Sequence, residues 1–236
     1  MPDVVPPSTR SRDEWLDRIA AALAVPDPDA DPDEPLLQPP STAEALAALE
    51  ASLGHTLPDD LRTLLARFGA TSYVPGDVFV SALTSTDDEP GIDSYAAQLR
   101  DWGWKIPAEL LVFGGEGVDA LYGVWRSPDA PCWQPVVAVV VDGDLAVVGD
   151  NVASFIAGRM ASHAILDAAE GDDRAAAILG ALSVPDALRA LPDDEQWEPT
   201  MAWSNPNRPY AEPDPFTNPI PLDELRAIAA SHAHPN

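Results

Sequence analysis

One cysteine, Cys132, stands in a chain of 236 residues. A lone thiol excludes an intrachain disulfide and any multi-cysteine zinc site. Positive charge is scarce too: 13 basic residues face 39 acids, a net charge of −26, and Lys105 is the only lysine. Proteins that grip phosphate backbones or anionic lipid need Lys and Arg, so this balance argues against both as partners. Long apolar runs are missing. The valine-rich run Val136–Val141 has six residues, where a membrane span needs about 20. The opening stretch MPDVVPPSTR has no apolar core of a signal peptide. The expectation is a soluble, cytoplasmic protein with no membrane contact.

Catalytic patterns are absent as well. His55, His163, His232 and His234 make no HExxH motif and no metal-ligand pair on one helical face. There is no G-x-S-x-G elbow. Cys132 lies between Pro131 and Trp133 with no acid–base partner in the local sequence, the setting of an inert loop thiol. Gly114-Gly115-Glu116-Gly117 lacks the Lys-Ser/Thr pair of a phosphate loop, and its glutamate would repel phosphate. It reads as a tight turn between strands. Asp142, Asp144 and Asp150 lack EF-hand spacing. Adjacent acids such as Asp87-Asp88, Asp172-Asp173 and Asp193-Asp194 follow from composition, with Asp172-Asp173 capping a helix. No catalytic residue, metal ligand or cofactor is assigned, and the chain reads as a non-enzyme.

What the chain does have is a core. Hydrophobic residues make up 46% and charged residues 22%, a composition that folds. Trp15, Leu16, Ile19, Ala20 and Leu23 recur at helical spacing in an N-terminal segment, 1–24. Residues 25–40, VPDPDADPDEPLLQPP, alternate proline and acid as an extended linker. A domain is expected over 41–168. It opens with two helices, one carrying Leu46, Leu49 and Leu53 and stopped by Gly54. The other carries Leu61, Leu64, Leu65 and Phe68 and is stopped by Gly69. A strand at 78–83 and a helical stretch with Ile92, Tyr95, Leu99 and Trp102 follow. Strands are then expected at 109–113, 120–126, 135–141 and 145–148, the last two joined by Asp142-Gly143. Asp150-Asn151 caps a helix bearing Phe155, Ile156 and Met160.

Helices before and after a meander argue α+β. Residues 169–236 form a C-terminal extension, with helices near 173–182, 185–191 and 222–231. Between them, 192–221 holds eight prolines together with Trp197, Trp203, Tyr210 and Phe216. It reads as an extended Pro/aromatic-rich segment wrapped on the core, the rival being a free tail that orders on a partner.

Several motifs in the middle of the chain resemble the SUKH superfamily. Leu49-Glu50 with Leu53-Gly54, Leu57-Pro58-Asp59-Asp60, and Leu64-Leu65 to Phe68-Gly69 are similar to its opening helices. Ile106-Pro107, Leu111-Val112-Phe113-Gly114-Gly115, Leu121-Tyr122-Gly123, Pro135-Val136 and Phe155-Ile156 follow in the family's order. The resemblance covers about residues 41–165, with Gly69-Ala70 departing from the family's small polar residue after the second helix. It implies a twisted antiparallel sheet with helices packed against it. It also implies a non-enzymatic binding protein, often a bacterial immunity protein that blocks a cognate toxin, frequently a nuclease.

The −26 charge suits such a role by complementing a basic toxin domain, although acidity also aids solubility alone. An intracellular adaptor or scaffold of the same family is the alternative. Partner-binding candidates are the loop acids Asp87, Asp88 and Glu89 and the turn acids Glu116 and Asp119, which flank the strands. Aromatic anchors would come from the exposed members of Trp102, Trp104, Tyr122 and Trp125, most of the four being read as core. Partner identity and oligomeric state are not encoded in any motif.

Overall fold

Polar residues at helix heads and glycines at their tails cut the chain into its elements. The structure, a computed structural model, describes residues 8–26, 39–73, 78–85, 91–116, 120–127, 130, 133–140, 142–191, 197–205 and 219–232. Ser11 and Glu14 form a reciprocal capping box at the head of α1 (Arg12–Leu23). Thr42 caps α2 (Ala43–Leu53), which Gly54 ends in the left-handed region at φ 71°. Helix α3 (Asp59–Phe68) starts after Pro58 with two acids in its first turn.

A six-stranded antiparallel meander follows in strict sequence order: β1 (Thr71–Tyr73), β2 (Val78–Val80), β3 (Leu110–Glu116), β4 (Ala120–Trp125), β5 (Val136–Val139) and β6 (Leu145–Gly149). Helix α4 (Tyr95–Asp101) lies between β2 and β3. After the sheet come α5 (Val152–Ala169), α6 (Asp173–Leu182), α7 (Asp186–Arg189), α8 (Trp197–Ser204) and α9 (Leu222–Ser231). The fold is α+β.

Both faces of the sheet are covered, which is why β5 is valine-rich without polar alternation. On one face Leu111, Phe113, Tyr122, Val124, Ala138 and Val148 pack with residues of α1, α2, α3, α5, α6 and α8. On the other, Leu110, Val112, Leu121, Trp125, Val137 and Val147 pack with Tyr95 and Leu99 of α4 and Leu225 and Ala229 of α9. Glu109 receives Arg226 of α9 at 2.7 Å, and Ile220 donates its N–H to Leu145 at 2.7 Å, closing the β6 edge.

Three sequence expectations change. Gly114, Gly115 and Glu116 continue β3 instead of turning. Gly114 is glycine because a Cβ there would stand 1.8 Å from the Phe79 carbonyl oxygen on the neighbouring strand. The expected 78–83 strand stops at Val80, and β1 had no counterpart in the sequence reading. Within 192–221, residues 197–204 form helix α8, not extended chain. Residues 192–196 and 206–218 lie outside the described residues, as does most of the 25–40 linker. Of the core residues with helical or alternating spacing, Leu49, Leu61, Leu64, Leu65, Phe68 and Phe155 are buried, while Leu53 is half-buried.

The apolar core does not stop at residues 41 and 168. Trp15 meets Trp203 edge-on at 5.2 Å, with the Arg10 guanidinium 4.9 Å from the Trp15 ring and 5.3 Å from Trp203. Helices α1, α6 and α8 all pack on α5 or on one another. A chain cut to residues 41–168 would bare those faces of α5 together. It is expected to bind a hydrophobic dye and to lose the cooperative urea transition of the full chain. A sharp two-state transition in the short chain would establish 41–168 as self-sufficient.

Candidate functional site

Of the five acids singled out by sequence, Asp87, Asp88, Glu89 and Asp119 lie outside the described residues. Glu116 is described. It is the last residue of β3, a strand position and not a turn position. Along β3, Leu111 and Phe113 face α5, while Leu110 and Val112 face α4 and α9. Strict alternation would send Glu116 with the second set. Instead the register slips by one residue between Val112 and Gly114, so Gly114 pairs with Tyr122 and Glu116 with Ala120. That bulge turns the glutamate to the α5 face.

There its carboxylate meets three side chains. The Tyr122 hydroxyl donates to Oε2 at 2.6 Å. Arg159 of α5 donates through Nη2 to Oε1. His163, one turn further along α5, brings its Nε2 to 3.7 Å from Oε1. Arg159 Nη2 also lies 3.0 Å from His163 Nε2. Arginine only donates, so that bond requires an unprotonated Nε2 and places the ring proton on Nδ1. The Arg159 side chain is 8% exposed and that of Glu116 25%. The pair therefore sits at the rim of the core, where β3 and β4 meet α5. Burial, foremost, pushes the Tyr122 phenol far above its ordinary value; the Glu116 charge adds to this and Arg159 opposes it.

The chemistry of this cluster is that of a tie. Both oxygens of Glu116 are engaged, one by Tyr122 and the other by Arg159. Among the described residues, no group of three or more His, Cys, Asp or Glu could hold a metal ion. Cys132 lies outside them. Arg159, His163 and Tyr122 were not linked to Glu116 by sequence. Their meeting depends on the bulge, and the only local signal is the i, i+4 spacing of Arg159 and His163 on α5.

Another residue of the quoted motifs has a clear task. Glu50 accepts the Leu57 N–H at 3.0 Å and stands 3.4 Å from Arg62 Nε, fixing the α2–α3 turn.

The aromatic candidates divide sharply. Tyr122 and Trp125 are core residues, and Trp104 is half-buried against the α4/α9 face. Trp102 is 63% exposed.

Residues 40–158, half of the chain, match the family described as SMI1 / KNR4 family (SUKH-1). No curated protein and no solved structure matches the chain. No helix among the described residues is long and apolar enough to cross a membrane.

The tie makes a pH prediction. A phenol whose folded pKa is raised gives up stability once the unfolded chain ionises, which begins near about pH 10. Tyr122→Phe is expected to flatten the fall of unfolding free energy between about pH 10 and 12. At neutral pH it should cost about 1–3 kcal/mol for the lost bond to a charged acceptor. Urea melts of both proteins across that range check it. Equal alkaline slopes would mean that Tyr122 ionises as easily folded as unfolded.

Proposed function

The chain belongs to the SMI1/KNR4 family (SUKH-1), and from that membership we propose that it is a non-enzymatic binding protein that neutralises a cognate bacterial toxin. The family match over 40–158 is the observation that carries this reading. The net charge of −26 supports a basic partner, such as the nucleic-acid-binding domain of a nuclease toxin. Neutralisation here means occlusion: the immunity protein covers the basic surface that the toxin uses on its substrate. On this reading the protein acts in the cytoplasm, where such a substrate is met.

Charge and contact then divide the labour. Long-range attraction acts over roughly one Debye length, about 8 Å at physiological salt, and raises the association rate. Asp87, Asp88, Glu89, Glu116 and Asp119 are the proposed partner-facing acids. Glu116 differs from the rest in being already bound by Arg159 and Tyr122, so its part is to anchor the end of β3 on α5.

The test is association kinetics with a toxin encoded beside this protein's gene. The on-rate is expected to fall at least tenfold between about 20 and 200 mM salt. Replacing Asp87, Asp88 and Glu89 together by alanine should slow association several-fold at low salt and leave thermal stability unchanged. No complex with that toxin, and capture of several unrelated proteins instead, would replace the immunity reading by the adaptor one.

A further inference from the structure

Trp102 caps the C-terminus of α4. Gly103 follows at φ 95°, a left-handed turn that carries the chain round so that Trp104 packs on the core while Trp102 stays outside. Exposing an indole to water forfeits the gain of burying it, and aromatic side chains of this kind dominate binding energies when a partner covers them.

Acids outnumber bases in the exposed segments next to it. Asp101 precedes it and is exposed. The β5–β6 turn lies against the same segment, since a Cβ on Gly143 would stand 2.6 Å from Lys105 Cβ. That turn carries exposed Asp142 and Asp144. Asp101, Asp142 and Asp144 make no ion pair among the described residues. The nearest arginine in sequence, Arg100, is turned inward onto the Ile106 and Pro107 carbonyls at 3.0 and 3.1 Å. Lys105 is exposed and leaves the segment net negative.

We propose that Trp102, with Asp101 beside it in the chain and Asp142 and Asp144 on the turn that packs on Lys105, is a docking point for an arginine on the basic surface of a protein partner. A guanidinium stacks flat on an indole face while donating forked hydrogen bonds to carboxylates at its edge. A lysine ammonium lacks the plane and the fork, so arginine is the preferred occupant. This deepens the reading of a basic partner and rests on it, and it names residues other than the acids at 87–89, 116 and 119.

The probe is octa-arginine, titrated into the full chain at about 20 mM salt and followed by the indole N–H resonance that disappears in Trp102→Phe. That resonance is expected to move to saturation. Octa-lysine should bind about fivefold more weakly, and Trp102→Ala or paired Asp142→Asn and Asp144→Asn should each weaken octa-arginine about five- to tenfold. Paired Asp172→Asn and Asp173→Asn, in an acidic turn elsewhere, should change affinity less than twofold. Because Trp102 lies in solvent, its variants should melt with wild type, which checks that folding is intact. An unmoved resonance, or an equal loss in the Asp172/Asp173 control, overturns the proposal and leaves diffuse attraction to the −26 charge.

The toxin complex separates this idea from the reading it rests on. Binding indifferent to Trp102→Ala sinks the docking point while the immunity function stands. Specific seating of octa-arginine without any toxin complex sustains the docking point and sinks the immunity function.

Discussion

Everything in this structure depends on α5 being buried almost all the way round. A helix with one apolar stripe packs on one neighbour; a helix apolar on every side needs a complete shell. From Val152 to Ile165 every residue but His163 is buried. Small side chains bring the neighbours close. A Cβ on Gly158 would stand 2.2 Å from Ser204 Oγ and 3.0 Å from Met201 Sδ, so α8 approaches nearly to backbone distance. Asn205 then locks that approach: fully buried, it accepts from the Asp150 N–H at 3.0 Å and from Ser154 Oγ at 2.8 Å. With the sheet on one side, the shell is completed by α1 from the start of the chain and by α6 and α8 from its end. The segments flanking the family-matched region are thus part of its core.

This burial explains where adaptable surface can lie. A helix held on all sides and a sheet covered on both faces leave strand-end connections and helix caps as the free edges. The Glu116–Arg159 pair holds one such edge by joining the end of β3 to α5. The α4 cap and the β5–β6 turn form another, where Lys105 packs against Gly143. Binding residues placed at such edges inherit the rigidity of the elements that end there.

Local signals made most of the fold legible. Capping residues, glycine stops and helical spacing located α1, α2, α3, α5, α6 and α9 to within a few residues, because each is fixed by its own neighbours in sequence. What escaped depends on distant chain. Gly114 and Gly115 look like a turn until Phe79 is placed against them. Helix α8 was hidden by the prolines around it, although Pro199 lies in its first turn, where the missing N–H has no partner to lose. The bulge at Val112/Gly114 leaves no mark in sequence, yet it decides which face Glu116 takes. Of the candidate site, the excess of acid was plain from composition, but the partners of Glu116 were not. An exposed Trp102 could not be told from a half-buried Trp104 by residue type, since only the turn at Gly103 separates their fates.

The arginines complete the electrostatic picture. Arg12, Arg62, Arg67, Arg159 and Arg226 pair with the protein's own carboxylates. Arg18, Arg100 and Arg189 donate to main-chain carbonyls, and Arg10 lies over Trp15 and Trp203. Positive charge is used mainly to join elements, so the unpaired acids set the outward field. Such a field attracts a cationic molecule from any direction and favours no particular orientation. Salt weakens it, and each exposed ion pair it finally makes is worth no more than about 1 kcal/mol. Tight, oriented binding therefore needs a short-range feature within the field, one that gains by losing water. Among the aromatics of the described residues, Trp102 is the one exposed enough to supply it.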